Sequence, residues 1–149
     1  MENPKRIEDI EQEIIEDFKL LDAWDEDQKY EYIIDMGKKL PPLEEQFKTV
    51  DNVIKGCQST VWLAADFTDG KLFFKADSNS VITKGLISML ILVLSGRAPD
   101  EIIAARLDFI NAIGMHSHLA QTRSNGLLAM VKQMKNYALA YKIQNASKV

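Results

Sequence analysis

The sequence predicts an α+β protein in which helices cover one side of a small antiparallel sheet of about three strands. Two patterns carry that expectation. Apolar residues recur every three or four positions before residue 40 and after residue 122, the period of helices with one buried face. Between residues 61 and 76 they alternate instead, around an Asp69-Gly70 pair that marks a two-residue hairpin turn. With 149 residues, 46% of them hydrophobic, the chain can bury one core of ordinary size, so a single domain over 1–149 is expected.

In the first segment Ile7, Ile10, Ile14, Phe18 and Leu21 share a helical face, with acidic residues in the gaps. A partner-binding helix would carry the same stripe, but packing against the domain's own core is its commoner use. Asp25 and Gln28 form a pattern like a capping box and start a second helix carrying Tyr30, Ile33, Ile34 and Leu40. Pro41-Pro42 stops it, because proline disfavours helical angles in the residue before it and offers no amide donor. A polar connection over 43–52 leads to the sheet. A first strand is expected over 53–56. The next places Val61, Leu63, Ala65 and Phe67 on one face, and the returning strand spans 71–76. Residues 80–94, apolar on nearly all sides, read as a central helix against the sheet, stopped by Gly96. Its longest apolar run, 85–94, is about half the roughly 20 residues a membrane span needs. Pro99 begins a short helix with Asp100 and Glu101 in its first turn, and another covers 107–113. Thr122 caps a long last helix whose stripe is Leu127, Val131, Met134, Ala138 and Tyr141.

A formal net charge of −4 and the lack of a long basic run exclude electrostatic support for nucleic-acid or anionic-membrane binding, and suit a basic protein partner. Residues 1–21 are charged throughout and lack the apolar core of a secretory signal. One cysteine forms no internal disulfide and is at home in a reducing compartment, so a cytoplasmic protein is expected. Two histidines, His116 and His118, with one distant cysteine fall short of a zinc set, and no metal is expected.

That cysteine, Cys57, is the candidate working atom. Gly56 before it permits a sharp turn, Gln58 and Ser59 place polar groups beside the sulfur, and the strand pattern begins just after. Val53, Ile54, Val61 and Trp62 surround it with apolar bulk. Two readings stand at this point, since a free cysteine is also among the most often buried residue types. A reactive thiol near its ordinary pKa of ~8.5 is mostly protonated at neutral pH, and a nearby cation would raise the thiolate fraction.

Gly56-Cys57-Gln58-Ser59 followed by Val61-Trp62 resembles the signature of the SufE family, the sulfur acceptors that work with cysteine desulfurases in iron-sulfur cluster assembly. Further blocks are similar to the family's in the same order. They are Tyr32 through Leu40-Pro41, then Asp77-Ser78 with Lys84-Gly85-Leu86, then His118-Leu119 with Arg123-Ser124-Asn125-Gly126-Leu127 and Met130-Val131. The chain departs from the family at Ala76, where glycine is frequent, and at Ala120-Gln121-Thr122, where a Ser-Pro-Ser type sequence is common.

The resemblance implies a topology shared with the IscU-type scaffold proteins. It implies a carrier more than an enzyme: Cys57 receives persulfide sulfur from a cysteine desulfurase of SufS or CsdA type, stimulates that enzyme, and delivers to a scaffold of SufBCD type. No cofactor would be bound, since the pyridoxal phosphate belongs to the desulfurase and the persulfide on Cys57 is transient. A monomer or weak homodimer would suffice. Gly56, Gln58 and Ser59 are implied as supporting residues. Arg123 and Asp77 are implied as supporting or partner-binding, and each also has a plain structural use. For Asp77 the plainer use is a helix cap, shared with Ser78 and Ser80. For Arg123 it is an exposed cation near a helix start. Two other classes remain: a self-contained thiol enzyme, which would need His116 or His118 as its base, and an interaction module with an inert cysteine.

Overall fold

The sheet begins from its turn. Asp69 and Gly70 both take positive φ, 53° and 77°, the backbone twist that a two-residue hairpin requires. They join β1 (Val61–Thr68) to β2 (Lys71–Ser78) in antiparallel register, with Thr68 opposite Lys71 and Val61 opposite Ser78. That register puts Val61, Leu63, Ala65 and Phe67 on one face with Leu72, Phe74 and Ala76, and helices cover this face. The structure, a computed structural model, describes residues 5–22, 26–56, 59–112 and 120–146; at 21–22, 26–27, 111–112, 120–125 and 145–146 it describes the backbone only.

The expected third strand shrinks to a single bridge. Val53 pairs with Trp62, and the Ile54 N–H donates to the Val61 carbonyl at 2.9 Å. A 3-10 turn at Val50–Asn52 ends just before this point, and Gly56, at φ 97°, turns the chain away just after it. Only two residues are therefore extended enough to pair. The outer edge of β2 is treated similarly: Arg97 bridges Leu72, whose N–H donates to the Arg97 carbonyl at 2.9 Å. Both edges of the two-stranded sheet are thus partly covered, which blunts the tendency of open edges to recruit other chains.

Helix α1 (Ile7–Asp22) buries Ile7, Ile10, Ile14 and Phe18 as its spacing predicts, and each such side chain stabilises the fold by roughly 1.5–3 kcal/mol. The Phe18 ring meets Tyr32 edge-on at 4.9 Å. Helix α2 (Glu26–Lys38) stops before the proline pair, its last turn tightening as the Leu40 N–H bonds to the Gly37 carbonyl at 3.1 Å. The Asp25 cap lies outside the described residues.

Helix α3 (Val81–Leu94) is the centre, with Leu86, Ile87, Met89, Leu90, Val93 and Leu94 almost wholly buried. It lies against α2 at backbone distance. A Cβ built on Gly37 would sit 2.8 Å from the Gly85 nitrogen, and one on Gly85 would sit 2.7 Å from the Ile33 carbonyl carbon. The Ser88 hydroxyl seals the crossing by donating to the Met36 carbonyl at 2.8 Å. At its end Gly96 takes φ 78°, and its N–H donates to the Leu72 carbonyl.

Helix α4 (Pro99–Ala104) follows, with Glu101 accepting from the Ala98 N–H, and α5 (Phe109–Ala112) is the short helix expected over 107–113. Lys135 donates to the carbonyls of Ile103 and Ala105, serving the exposed acceptors at the end of α4. Helix α6 (Ala120–Ala146) buries Leu127, Met130, Met134 and Ala138. It reaches the sheet face through Tyr137, whose hydroxyl donates to the Leu63 carbonyl, and through Tyr141 stacked on Phe67. Thr122 is not its cap. The helix begins at Ala120, because alanine and glutamine favour helix and carry it past the threonine.

Candidate functional site

The stretch around the cysteine is held at both ends. On the incoming side, Ile54 is buried and bridged to β1, and Lys55 and Gly56 then turn outward and are exposed. On the outgoing side, Ser59 and Thr60 are fastened to the junction between β2 and α3. The Thr60 N–H donates to the Asn79 side-chain carbonyl at 3.1 Å, and the Thr60 carbonyl accepts from the Ser78 hydroxyl at 2.8 Å. The Thr83 hydroxyl, on a buried residue of α3, donates to the Ser59 hydroxyl at 3.4 Å.

Gly56 shows why this position is a glycine twice over. Its φ of 97° is disfavoured for any residue with a Cβ, and a Cβ there would lie 3.3 Å from the Cβ of Ala129 on α6. The last helix therefore passes directly beside Gly56. Arg123 lies on that helix, six residues before Ala129 and about 9 Å along the axis at 1.5 Å per residue. Distant in sequence, residues 56 and 123 are brought to neighbouring elements. Cys57, Gln58, His116, His118 and the side chain of Arg123 lie outside the described residues. Of the apolar residues flanking the thiol in sequence, Ile54 and Val61 belong to the core, while Val53 and Trp62 are half-buried.

The cap assigned to Asp77 belongs to Ser80, whose hydroxyl accepts from the Thr83 N–H at 3.3 Å. The reason is position: β2 runs on through Ser78, so Asp77 is still in the sheet when the helix begins. There it stands opposite Trp62 and draws in two lysines, Lys48 at 3.4 Å and Lys84 at 3.6 Å. Burial pushes its carboxyl upward, but the Ser78 N–H and the ammonium groups of Lys84 and Lys48 outweigh that and hold it below its ordinary value. Lys48 also lies over the Trp62 ring, 5.6 Å from its centroid. Asp77 thus ties the segment leading to the cysteine, through Lys48, to β2 and α3. Lys48, Asn79 and Thr83 carry no pattern in the sequence that marks them; only Ser78 and Ser80 were visible, as alternative caps.

Among the described residues no group of three His, Cys, Asp or Glu side chains is placed to hold a metal, and no helix is long and apolar enough to cross a membrane.

The chain's one cysteine therefore lies, in sequence, between Gly56, which flanks the last helix, and Ser59–Thr60, which are bonded to the junction of β2 and α3. Comparisons with known proteins give that arrangement its class. The model of the SufE family, described as an Fe-S metabolism associated domain, matches residues 12–138. A SufE-like protein of Rhizobium meliloti is 37% identical over 131 residues, covering 85% of this chain and 92% of its own length. One from Synechocystis is 38% identical, covering 80% and 75%. The chloroplastic/mitochondrial SufE-like protein 1 of Arabidopsis thaliana is 40% identical over 93% of this chain, which spans only 38% of that longer protein. The solution structure of a hypothetical protein from Thermus thermophilus shares the fold, with TM-score 0.68 over 85% of this chain and 93% of its own at 16% identity. The chain belongs to the SufE family, and its role lies in iron-sulfur metabolism.

Proposed function

We propose that this protein is a sulfur acceptor and carrier: Cys57 takes persulfide sulfur from a pyridoxal-phosphate-dependent cysteine desulfurase, stimulates that enzyme, and passes the sulfur to an iron-sulfur cluster scaffold. The supporting observation is the double anchoring of the stretch that holds the chain's one cysteine, through Ile54 on one side and Ser59–Thr60 on the other, within a SufE-family chain.

The chemistry asks little of the protein. The Cys57 thiolate attacks the outer sulfur of the donor persulfide; a new sulfur-sulfur bond forms on Cys57, the donor's bond breaks, and the donor cysteine leaves as thiolate. One proton is lost from the Cys57 thiol and one is available to the leaving thiolate, and no oxidant or reductant is consumed. No bound cofactor or metal takes part, so the protein's contribution is placement, partner recognition and thiolate fraction. Gly56 supplies the turn and Ser59 the anchor, with Gln58 between. Asp77 acts indirectly by holding the incoming segment through Lys48. Arg123, on α6, serves as a supporting cation that raises the thiolate fraction or meets an acidic group of the partner. The carrier works in the cytoplasm or another reducing compartment, as a monomer or weak homodimer.

The experiment is intact-mass measurement after incubation with a cysteine desulfurase and L-cysteine. The expected result is a gain of one sulfur atom, removed by dithiothreitol and mapped to Cys57. An unchanged mass in the presence of an active desulfurase would overturn the proposal.

A further inference from the structure

The net charge of −4 conceals an uneven distribution. Residues 1–108 hold all 22 acidic side chains and 13 of the 18 basic ones; residues 109–149 hold the other five and no acid. Helix α6 occupies most of that acid-free region, and it is apolar on two sides. Its inner side buries Leu127, Met130, Met134 and Ala138. Leu128, Leu139 and Ile143 face solvent instead, 61%, 48% and 60% exposed, with the exposed Lys132 among them. At about 100° per residue these four fall within an arc of about 60°, a stripe about 22 Å long. Lys135 donates to carbonyls at the end of α4 and Lys142 pairs with Asp100 at 2.7 Å, whereas Lys132 has no ion-pair partner among the described residues. Scattered exposed leucines are ordinary on a protein surface; an apolar line along the side of a helix turned away from the core does nothing for folding.

From this face we infer that the outer side of α6 docks the cysteine desulfurase, against an acidic patch of that enzyme which carries apolar side chains; the inference rests on the carrier reading above. Position selects the occupant. Ala129 borders the stripe, and it is the residue whose Cβ lies against Gly56, the position just before the cysteine. A protein that brings a persulfide to this part of the chain therefore comes within reach of Leu128 and Lys132 at the near end of the stripe. Charge selects the chemistry of its surface. With no acid on α6, the counter-charge for Lys132 comes from the partner, and such complementarity steers the encounter and fixes its register. A second copy docked α6 to α6 would set lysine against lysine, and an anionic membrane would repel the acid-rich remainder of the chain.

The test is titration of the full chain into a purified cysteine desulfurase, with Kd read by calorimetry and sulfur loading of Cys57 by intact mass. Lys132→Glu and Leu128→Ser are each expected to weaken binding about tenfold and Leu139→Ser about threefold, while Lys132→Arg keeps the wild-type Kd. Loading by the weakened variants should recover at saturating concentration, and their melting temperatures should stay within about 2 °C of wild type because the altered side chains are exposed. Cys57→Ser should bind like wild type and load nothing. The two readings fail separately. Binding that weakens in these variants without any loading of wild type would support the docking face and sink the carrier role. Loading accompanied by unweakened binding of Lys132→Glu and Leu128→Ser would overturn the docking face and keep the carrier. The face is equally overturned by wild-type protein that does not bind the desulfurase, by concentration-dependent dimers that Leu128→Ser abolishes, or by flotation with phosphatidylserine vesicles that Lys132→Glu abolishes.

Discussion

The crossing of α2 and α3 and the stretch around Cys57 both depend on a glycine, for opposite reasons. At the crossing, Gly85 removes a side chain so that two helices meet backbone to backbone, against the wholly buried Ile33. At the cysteine, Gly56 is exposed and its use is conformational, a φ of 97° that lets the chain leave the sheet edge and return. One glycine serves a rigid centre, and the other serves an exposed turn just before the cysteine position. A reactive thiol benefits from the second arrangement, because access and placement are both required and a buried crossing offers only placement.

The contrast predicts different consequences for the same substitution. Gly85→Ala should cost about 3 kcal/mol or more, since the new methyl meets backbone that cannot move aside, and sulfur transfer should fall only in step with the folded fraction. Gly56→Ala should cost less, about 2 kcal/mol, because the strain is local and the Ala129 methyl can shift by a few tenths of an ångström. Its transfer rate should nevertheless fall well below that of Gly85→Ala at equal folded fraction. Denaturant melts beside transfer rates check both, and equal rates per folded molecule would break the comparison.

Asp77→Asn sharpens it from the electrostatic side, with an expected cost of about 1 kcal/mol at neutral pH after allowing for the partial exposure of Lys48 and Lys84. Because the folded-state pKa of Asp77 is lowered, its contribution is fully present above the unfolded value near ~3.9 and is lost as pH falls through the folded value. The stability gap between wild type and Asp77→Asn should therefore be constant above about pH 5 and close below about pH 4. A gap that widened with acid would contradict the assignment. The smallest stability effect belongs to Arg123→Ala, under about 0.5 kcal/mol, paired with slower transfer; a large melting shift would make Arg123 structural instead.

The sequence made the periodic elements legible because burial enforces periodicity: α1, the β1–β2 hairpin, α3 and α6 stand where the apolar spacing of Ile7 through Phe18, Val61 through Phe67 and Leu127 through Ala138 places them. It misjudged what depends on competition between neighbours. Residues 53–56 have strand character, but the turns on either side leave one bridge. Asp77, Ser78 and Ser80 are all competent caps, and the strand's length, which sequence does not fix, gave that use to Ser80 and left Asp77 to Lys48 and Lys84. The approach of α6 to Gly56 was invisible for a simpler reason. A contact between residues 56 and 129 is a matter of tertiary path, and only the family resemblance had linked the two regions.

In the proposed function Cys57 is the sulfur acceptor, and the fold around it supplies placement, partner recognition and thiolate fraction. Alanine release by a cysteine desulfurase, measured with wild-type protein and with Cys57→Ser at equal concentration, tests this most directly. Serine nearly matches cysteine in size but is a far weaker nucleophile at neutral pH, so the variant should melt like wild type and give no stimulation. Full stimulation by the correctly folded serine variant would contradict the account.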